Sequence, residues 1–448
     1  MSISTDQQPA TVSNRVTTPG ATKQAGSIRD RWSWVEPAAW TERMLTALER
    51  GVKGGVWFSL MDKVYSPANM EAAWVSVRLN NGAAGVDHVS VHQFQQQLFK
   101  NRDRLCAELQ SGTYLPQDIR RKWIPKPGST EERPLGIPTV RDRIVQTALR
   151  NVLEPIFERD FATHSYGFRP QRGCKDALRR VDELLKKGYV HVVDADLKSY
   201  FDTIPQDRLM ELVSRKVADG RVLALLKAFL EQGVLDGMSR WTPEQGTPQG
   251  AVISPLLANV YLDPLDHRME EQGFAMIRYA DDFVILCRSR AEADRALQEV
   301  QNWVAQAGLT LHPTKTRLVH ADDGFDFLGY HFQGVKRWPR KKSLAKLKDT
   351  IREKTHRTDG RALRVIIRDV NRTLTGWFGY FKHSLKTTFG PLDGWIRMRL
   401  RSILRKRVGL KGRGRGTDHQ SWPNAFFAEQ GLKNLVAAHK QACQPSLR

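Results

Sequence analysis

Acidic residues follow two strand-like apolar segments of the chain, in an arrangement that suits metal-assisted phosphoryl transfer. Asp281 and Asp282 lie between the apolar segments 274–277 and 283–286, which predicts a β-hairpin with two carboxylates at its turn. Adjacent carboxylates in an apolar hairpin are unfavourable unless a cation compensates their charge. Magnesium suits this role, because it binds a few carboxylate oxygens and completes its coordination with substrate phosphates. Taken alone, the segment is also compatible with a plain polar turn.

A second acidic cluster follows a β-rich apolar segment and contains Asp194, Asp196 and Asp202. Two-metal phosphoryl transfer needs an acid from each of two neighbouring strands, with the metals about 3.5–4 Å apart. We expect Asp196 and Asp281 to be the bridging pair and Asp282 to be a secondary ligand. Asp194 and Asp202 are expected to be solvated or structural.

Several further sequence blocks occur in the order found in one known family. The chain resembles a reverse transcriptase, specifically the proteins encoded by bacterial group II introns, from roughly residue 54 to the C-terminus. Besides the two acidic clusters, the resemblance rests on residues 81–87, 123–127, 133–138, 165–170, 246–257, 327–330 and 374–381. It implies an α+β fold, a right-hand polymerase with fingers and palm, followed by a helical, basic thumb or maturase domain.

The resemblance also implies a chemistry, in which a primer 3′-hydroxyl attacks the α-phosphate of a dNTP on an RNA template. Two Mg²⁺ ions are the expected cofactors, and Mn²⁺ is a substitute. The metal ligands are expected among Asp196, Leu197, Asp281 and Asp282, and the catalytic acids are Asp196, Asp281 and Asp282.

Three residues are implied by the resemblance to contact the nucleotide. Lys126 and Arg133 fall on a predicted fingers hairpin over residues 123–139, where they would neutralise the triphosphate. The alternative is a pair of surface cations. Phe201 lies five residues beyond Asp196, where an aromatic ring would crowd a ribose 2′-hydroxyl and disfavour ribonucleotides. The alternative for Phe201 is a place in the palm core.

Two more nucleotide contacts come from local sequence. The Gly/Pro-rich loop 246–250 lets the backbone approach a bound nucleotide closely, and its Gln249 is a candidate contact to the nucleotide or template base. A structural turn amide is the alternative. A helix should follow this loop and end at Pro264. Lys315 could protonate the pyrophosphate leaving group or steady its loop, or be a plain surface lysine.

The charge of the chain predicts a polyanionic partner. The formal net charge is +22, and residues 331–420 hold 25 Lys and Arg against 6 Asp and Glu. A basic run of this length with interleaved aromatic residues favours a nucleic-acid surface over a solvated face. Arg169 is weighed equally between a template contact and a structural salt bridge. The candidate nucleic-acid contacts are Arg169, Gly329, Lys336, Arg337, Arg397, Arg401, Arg405, Arg413 and Arg415.

The chain divides into four expected regions. These are a mostly disordered tail (1–45), reverse transcriptase fingers and palm (46–335), a thumb or maturase domain (336–410) and a basic C-terminal nucleic-acid-binding segment (411–448). Order should begin near Trp40. Helices are expected over 67–79, 91–109, 142–157 and 291–307.

The expected partners are group II intron RNA, an RNA template with a DNA primer, target DNA and dNTPs, and the chain could act alone or as a homodimer. Four scattered cysteines and the lack of an apolar run of about 18 residues favour a bacterial cytoplasmic, nucleoid-associated protein without a membrane span. No Cys/His set for the endonuclease domain of some relatives is present, so we expect priming by another route. Two alternatives are a host-repurposed polymerase and a non-catalytic splicing factor.

Overall fold

The computed structural model describes residues 26–125, 132–412 and 416–444, in which helices surround three β-sheets. The strands are β1 (Ile119–Pro125), β2 (Glu132–Ile137), β3 (His191–Asp196), β4 (Val234–Asp236), β5 (Ser239–Trp241), β6 (Ala275–Tyr279), β7 (Asp282–Cys287), β8 (Arg317–His320), β9 (Phe325–Phe327), β10 (Tyr330–Gln333) and β11 (Lys336–Pro339).

The helices pack around these sheets, with short 3₁₀ turns at Lys53–Gly55 and Lys386–Thr388. They are α1 (Ile28–Arg31), α2 (Glu42–Arg50), α3 (Met61–Val64), α4 (Pro67–Asn80), α5 (Val91–Gln96), α6 (Leu98–Ser111), α7 (Val140–Glu158), α8 (Cys174–Lys186), α9 (Tyr200–Thr203), α10 (Gln206–Ser214), α11 (Gly220–Leu230), α12 (Ser254–Glu271), α13 (Arg290–Gln306), α14 (Lys341–Lys354), α15 (Leu363–Phe381), α16 (Phe389–Arg407), α17 (Asp418–Ser421), α18 (Asn424–Glu429) and α19 (Leu435–Ala442).

The palm is built on an antiparallel sheet with the strand order β6–β7–β3–β8. Alternate residues of β3 and β7 enter two hydrophobic clusters, so both faces of the sheet are covered. Helices α12 and α13 lie on one face and α8 lies on the other. The predicted α+β organisation and the hairpin around residues 279–282 are confirmed.

The fingers contain a second sheet, in the order β2–β1–β4–β5, beside the buried helix α7. Strands β1 and β2 form the predicted antiparallel hairpin, whose tip at 126–131 lies outside the described residues. The helix predicted over 91–109 is two helices, α5 and α6, because Gln97 leaves helical geometry at φ −123°. This break lets Phe94 and Leu105 both enter the core.

The prediction that Pro264 ends its helix is wrong, since α12 continues to Glu271. Proline removes one backbone donor and usually breaks a helix. Here Leu262, Leu265 and Met269 on both sides of it are completely buried, so packing against the palm outweighs the lost hydrogen bond.

The N-terminal segment is ordered earlier than expected. Helix α1 begins at Ile28, Val35 is buried, and the Trp40 indole donates to the Asn151 carbonyl of α7 at 3.1 Å. Residues 28–45 therefore pack on the fingers, while most of the segment predicted to be disordered, 1–25, lies outside the described residues.

The C-terminal helices form a third hydrophobic cluster. Leu347 of α14, Ile366 of α15 and Ile396 of α16 share this core with Phe427 and Leu435 of the terminal helices. The boundary predicted at residue 411 therefore does not coincide with a gap between two cores. Among the described helices, none is long and apolar enough to cross a membrane.

Candidate functional site

The predicted acids meet at one end of the palm sheet. Asp196 is the last residue of β3 and lies directly opposite Asp282, the first residue of β7. Asp281 occupies the turn between β6 and β7. The antiparallel register of β3 and β7 therefore brings together the acids of the two sequence clusters, as predicted from their spacing.

Two of these carboxylates, Asp281 and Asp282, have raised pKa values. Burial, together with the negative charges of the neighbouring Asp194, Asp281 and Asp196, raises the pKa of Asp282 to about 7. Burial also raises the pKa of Asp281, and Asp196 adds to the effect. Asp194 is paired with Arg317 at 3.1 Å, which agrees with its expected structural role.

This set of oxygen donors fits a hard divalent cation, because a bound Mg²⁺ or Mn²⁺ would offset the electrostatic repulsion between the carboxylates. Within the described ranges, no three or more His, Cys, Asp and Glu side chains converge as a preformed metal cage. Magnesium needs only one or two carboxylates, since substrate phosphates and water complete its coordination. Asp196, Asp281 and Asp282 are the residues that could hold it, with Leu197 next to Asp196 at the end of β3.

A buried arginine holds the carboxylate turn. Arg278 on β6 is 1% exposed and pairs with Asp266 of α12. Its Nη1 donates to the Ala280 carbonyl at 2.9 Å and to Asn259 Oδ1 at 3.0 Å. The Asn259 amide in turn donates to the Gly167 carbonyl at 2.8 Å. The turn at residues 280–281 is thus tied to α12 and to the 165–170 loop.

The backbone of the 165–170 loop packs directly against the backbone of the turn at residues 280–281. A Cβ atom on Gly167 would lie 2.1 Å from the Ala280 nitrogen, so only glycine fits there. Ala280 itself has φ 61°, which is unfavourable for a residue with a Cβ atom. Such local strain persists only where surrounding contacts enforce it, and Arg278 and Gly167 supply those contacts.

Lys315 lies at the acid site, as expected. Its Nζ is 2.7 Å from Asp196 Oδ2, and its loop is fastened to β3 where the His312 N–H donates to the Asp196 carbonyl at 2.7 Å. The structure therefore brings this lysine together with the acids. Whether it protonates pyrophosphate remains a prediction.

The loop that carries Gln249 is held between palm and fingers. The Thr247 N–H donates to the Phe201 carbonyl at 2.6 Å, and the Gly136 N–H donates to the Gln249 carbonyl at 2.6 Å. A Cβ atom on Gly250, at φ 104°, would approach the Gly136 carbonyl to 2.3 Å. Phe201 is half-buried beside this loop, and both residues keep their predicted roles as proposals.

The structure shows little about Lys126 and Arg133, the two residues predicted to contact the triphosphate. Arg133 is exposed on β2, paired in register with Ile124. Lys126 lies outside the described residues. The structure therefore leaves the predicted triphosphate contacts of both residues as predictions.

Four arginines predicted to bind nucleic acid have partners within the protein, two of them buried and two half-buried. Arg169 is buried and forms an ion pair with Glu158 at 2.7 Å, which favours the salt-bridge alternative. Arg337 bridges to Asp182 of α8 at 2.9 Å. Arg401 is 2% exposed and bonds to the Trp422 carbonyl and Asn424, and Arg405 binds Asp418 at 2.9 Å. Sequence counts charges but does not show which of them are paired internally.

The remaining predicted contacts differ in exposure. Lys336 is exposed on β11, and Arg397 is half-buried on α16. Gly329 lies in the β9–β10 turn with φ 82°, after Leu328 at φ 46°. Arg413 and Arg415 lie outside the described residues.

Sequence reasoning missed Arg278, Asp266 and Asn259. Arg278 directly follows the apolar segment 274–277, and the pattern around it predicts only a strand that leads to the acids. A charged residue amid buried strand residues was the available signal, since such a charge needs a partner. That partner lies in α12, twelve residues earlier, and no local pattern indicates the pairing.

Two family models match the chain. Residues 124–332 match "Reverse transcriptase (RNA-dependent DNA polymerase)", and residues 344–421 match "Group II intron, maturase-specific domain". The first runs from the end of β1 into β10 and contains Asp196, Asp281 and Asp282. The second covers α14 to α17.

Curated relatives agree with both matches. The chain is 37% identical to Protein YkfC of Escherichia coli over 55% of this chain and 74% of that protein. It is 38% identical to the group II intron-encoded protein LtrA of Lactococcus lactis over 43% of this chain, but this spans only 32% of LtrA. It is 29% identical to the Arabidopsis thaliana Nuclear intron maturase 2, mitochondrial, over 47% of this chain and 33% of that protein.

Among solved structures, a chain of a "Partial Cas6-RT-Cas1--Cas2 complex" matches with a TM-score of 0.36 and 24% identity, over 55% of this chain and 42% of that chain. That level of similarity supports no argument about function. The family assignment rests on the two family models and on the E. coli relative, of which the match covers 74%. The chain belongs to the group II intron reverse transcriptase and maturase family of RNA-directed DNA polymerases.

Proposed function

We propose that this chain copies a group II intron RNA into DNA, and that it also binds the intron RNA and assists its splicing and mobility. The observation that carries the polymerase part is the register that places Asp196 opposite Asp282, with Asp281 at the adjoining turn. The maturase part is supported by the match of the basic C-terminal helices to the maturase-specific domain.

Asp196, Asp281 and Asp282 would hold two Mg²⁺ ions, with Leu197 as a further ligand through its backbone, and Mn²⁺ would substitute. Bound there, the ions would lower the pKa of the primer 3′-hydroxyl and neutralise charge on the triphosphate. The raised pKa values of Asp281 and Asp282 support this assignment, because a cation would relieve the repulsion that causes part of them.

The residues of the chain bind and orient the reactants around these acids. Lys126 and Arg133 contact the triphosphate from the fingers, and Gln249 contacts the nucleotide from the 246–250 loop. Phe201 crowds the position of a ribose 2′-hydroxyl and so favours dNTPs. Lys315, already hydrogen-bonded to Asp196, donates a proton to the leaving pyrophosphate, which would contribute about 10²–10⁴-fold.

Template choice rests on shape and base pairing. An A-form duplex presents 2′-hydroxyls and phosphates and little base information to a protein. The exposed cations of the thumb, such as Lys336, suit this partner. Target DNA would be bound by the same charge-driven mechanism.

Primer extension tests the polymerase activity. The protein is given an RNA template, a DNA primer, dNTPs and Mg²⁺, beside an Asp281→Asn variant. We expect synthesis by the wild type and at least a hundredfold less by the variant, because a metal ligand is lost. Equal, background-level synthesis by both would favour a non-catalytic splicing factor.

Sequencing of the RNA that co-purifies from the native host, at moderate salt, tests the maturase role. One long structured RNA that encodes this protein is expected. A mixed RNA population, with polymerase activity intact, would instead indicate a related polymerase that the host has repurposed for defence or repair.

A further inference from the structure

Phe168 is a bulky residue with an unfavourable backbone conformation and an exposed side chain. Its φ is 57°, in the left-handed region that aromatic residues rarely adopt, and the residue is 47% exposed. Neither property favours folding, because backbone strain costs free energy and an exposed ring buries little apolar surface. A strained, exposed aromatic residue beside the acid site therefore points to a role in the function of that site.

Both neighbours of Phe168 are fastened to other elements, which keeps the strained conformation in place. The Gly167 carbonyl accepts from the amide of Asn259 on α12 at 2.8 Å. On the other side, Arg169 is buried and pairs with Glu158 at 2.7 Å. The 165–170 loop thus holds the backbone of Phe168 in place independently of the Phe168 ring.

The Phe168 ring lies in a row of aromatic side chains that ends beside the acids. Its centroid is 6.4 Å from that of Phe201, with the ring planes at 76°, and 6.4 Å from that of Tyr279. Phe201 in turn packs edge-on against Tyr200, at 5.5 Å and 64°. Tyr200 is the fixed end of this row, because it is 2% exposed and its hydroxyl donates to the Ala258 carbonyl at 2.6 Å.

The Phe201 ring is therefore supported by two aromatic neighbours from different elements. Tyr200 belongs to the same short helix, α9, whereas Phe168 comes from the 165–170 loop. Phe201 is only half-buried, so a ring that loses one of these neighbours gains room to change its rotamer. A steric barrier excludes a substituent only while the crowding group stays in place. The exclusion of a ribose 2′-hydroxyl by Phe201 then depends on Phe168.

We propose that Phe168 is a positioning residue that holds the Phe201 ring against a ribose 2′-hydroxyl. This inference rests on the proposed polymerase function and deepens it. It assigns the preference for dNTPs over ribonucleotides to a pair of phenylalanines from two separate elements, rather than to Phe201 alone.

Two substitutions at position 168 separate the role of the ring from that of the backbone. Phe168→Asn removes the ring but tolerates the left-handed conformation, which asparagine adopts more readily than most residues. Phe168→Tyr keeps the ring. Gln171→Asn is the matched control, because Gln171 is exposed, has φ 58° and donates through its side chain to Ser33 at 3.3 Å. Thermal unfolding verifies that each variant folds.

The assay compares the insertion of dCTP and CTP on an RNA template, since these substrates differ only in the 2′-hydroxyl. For Phe168→Asn we expect the ratio of kcat/KM for dCTP to kcat/KM for CTP to fall about 2- to 12-fold, the amount that corresponds to one aromatic pair. The change should appear as a higher kcat/KM for CTP. Phe168→Tyr and Gln171→Asn should keep the wild-type ratio.

The variant Phe201→Ala provides a background in which no ring remains to be positioned. It should lower the ratio by itself, and the addition of Phe168→Asn should then change the ratio by less than about 2-fold. A further fall as large as in the wild-type background would show that Phe168 acts independently of Phe201, and would overturn the positioning role.

A second readout avoids turnover. The concentrations of dCTP and CTP that stabilise a complex with a chain-terminated primer should converge in Phe168→Asn. If Phe168→Asn keeps the wild-type ratio, or lowers kcat/KM for both substrates equally, the proposal is overturned while the polymerase function stands. A wild-type ratio in Phe201→Ala would overturn it as well, because Phe201 would then exclude nothing. A wild-type protein without synthesis would refute the polymerase function itself.

Discussion

Replacing Arg278 by methionine tests whether the buried network positions the turn at residues 280–281 or only fills the palm core. The substitution keeps an unbranched apolar side chain and removes the guanidinium that joins Asp266, Asn259 and the Ala280 carbonyl. Asp266 is itself buried, so its carboxylate would be left without the cation that it pairs with.

The expected cost has two separable parts. Breaking a buried ion pair from one side costs about 3–5 kcal/mol of stability, while replacing both partners by apolar groups is often nearly neutral. The double variant Arg278→Met with Asp266→Leu should therefore recover most of the lost stability. It still lacks the donor to the Ala280 carbonyl, and an unsatisfied buried carbonyl costs about 1–3 kcal/mol. If the turn moves to satisfy this carbonyl and the activation free energy rises by the same amount, the rate of synthesis falls roughly 5- to 160-fold.

The assay combines chemical unfolding with primer extension across a Mg²⁺ titration. We expect the single variant to lose stability and activity, and the double variant to be stable but still slow, with a higher Mg²⁺ requirement. Arg290→Met is the control, because its exposed pair with Asp294 should contribute under about 1 kcal/mol. A double variant that regains wild-type activity would refute the positioning role of Arg278 and leave it only a charge partner.

Three other perturbations follow from the contacts. Gly167→Ala should reduce primer extension at least tenfold with little loss of RNA binding, because its Cβ would lie 2.1 Å from the Ala280 nitrogen, and unchanged activity would show that the turn yields freely. Lys336→Ala should reduce the slope of log K for RNA binding against log salt concentration by about one unit, whereas Arg337→Ala should mainly lower thermal stability. Filter binding at several salt concentrations, together with thermal unfolding, measures both effects. The same behaviour in both variants would contradict the prediction. Burial raises the pKa of Asp219, but four backbone N–H groups outweigh it and leave the pKa below its usual 3.8. Asp219 caps the N-terminus of α11, and the stabilisation by its carboxylate is present above pH 3.8 and lost as the pH falls through the lower folded pKa. In urea unfolding, Asp219→Ala should therefore lower the free energy of unfolding by about 0.5–2 kcal/mol at pH 7 and by less at pH 3. A loss of stability that is the same at both pH values would contradict this prediction.

The local sequence pattern predicted an element correctly where the residues of that element alone determine its structure. The hairpin around 279–282 has apolar strands on both sides of a polar turn, and the long helix α7 has apolar residues at helical spacing. Pattern failed where distant packing decides. Proline is a local sign of a helix end, yet the neighbours of Pro264 are buried against the palm and the helix continues through it.

The site shows the same division between local and distant causes. Asp196, Asp281 and Asp282 were predictable because each follows an apolar strand, and antiparallel register then brings strand ends together. The geometry of the turn was not predictable, because Arg278 acts through Asp266 on another element. The hydrogen bond between Asp202 and Gln249 spans 47 residues, so its detection also needs the fold.

The basic thumb shows what a charge count can and cannot predict. Several inward arginines connect separate elements of the fold, as Arg337 connects β11 to α8. A second group is exposed and follows the β9–β10 turn, where the Arg340 N–H donates to the Gly329 carbonyl at 3.0 Å. The charge of Arg340 also lowers the pKa of Asp282, so Arg340 acts electrostatically on the acid site. Because these side chains are exposed, they are free to contact phosphates, whereas the inward arginines already have acidic or carbonyl partners. The exposed members of this group are Lys336, Arg340, Lys341, Lys342 and Lys346.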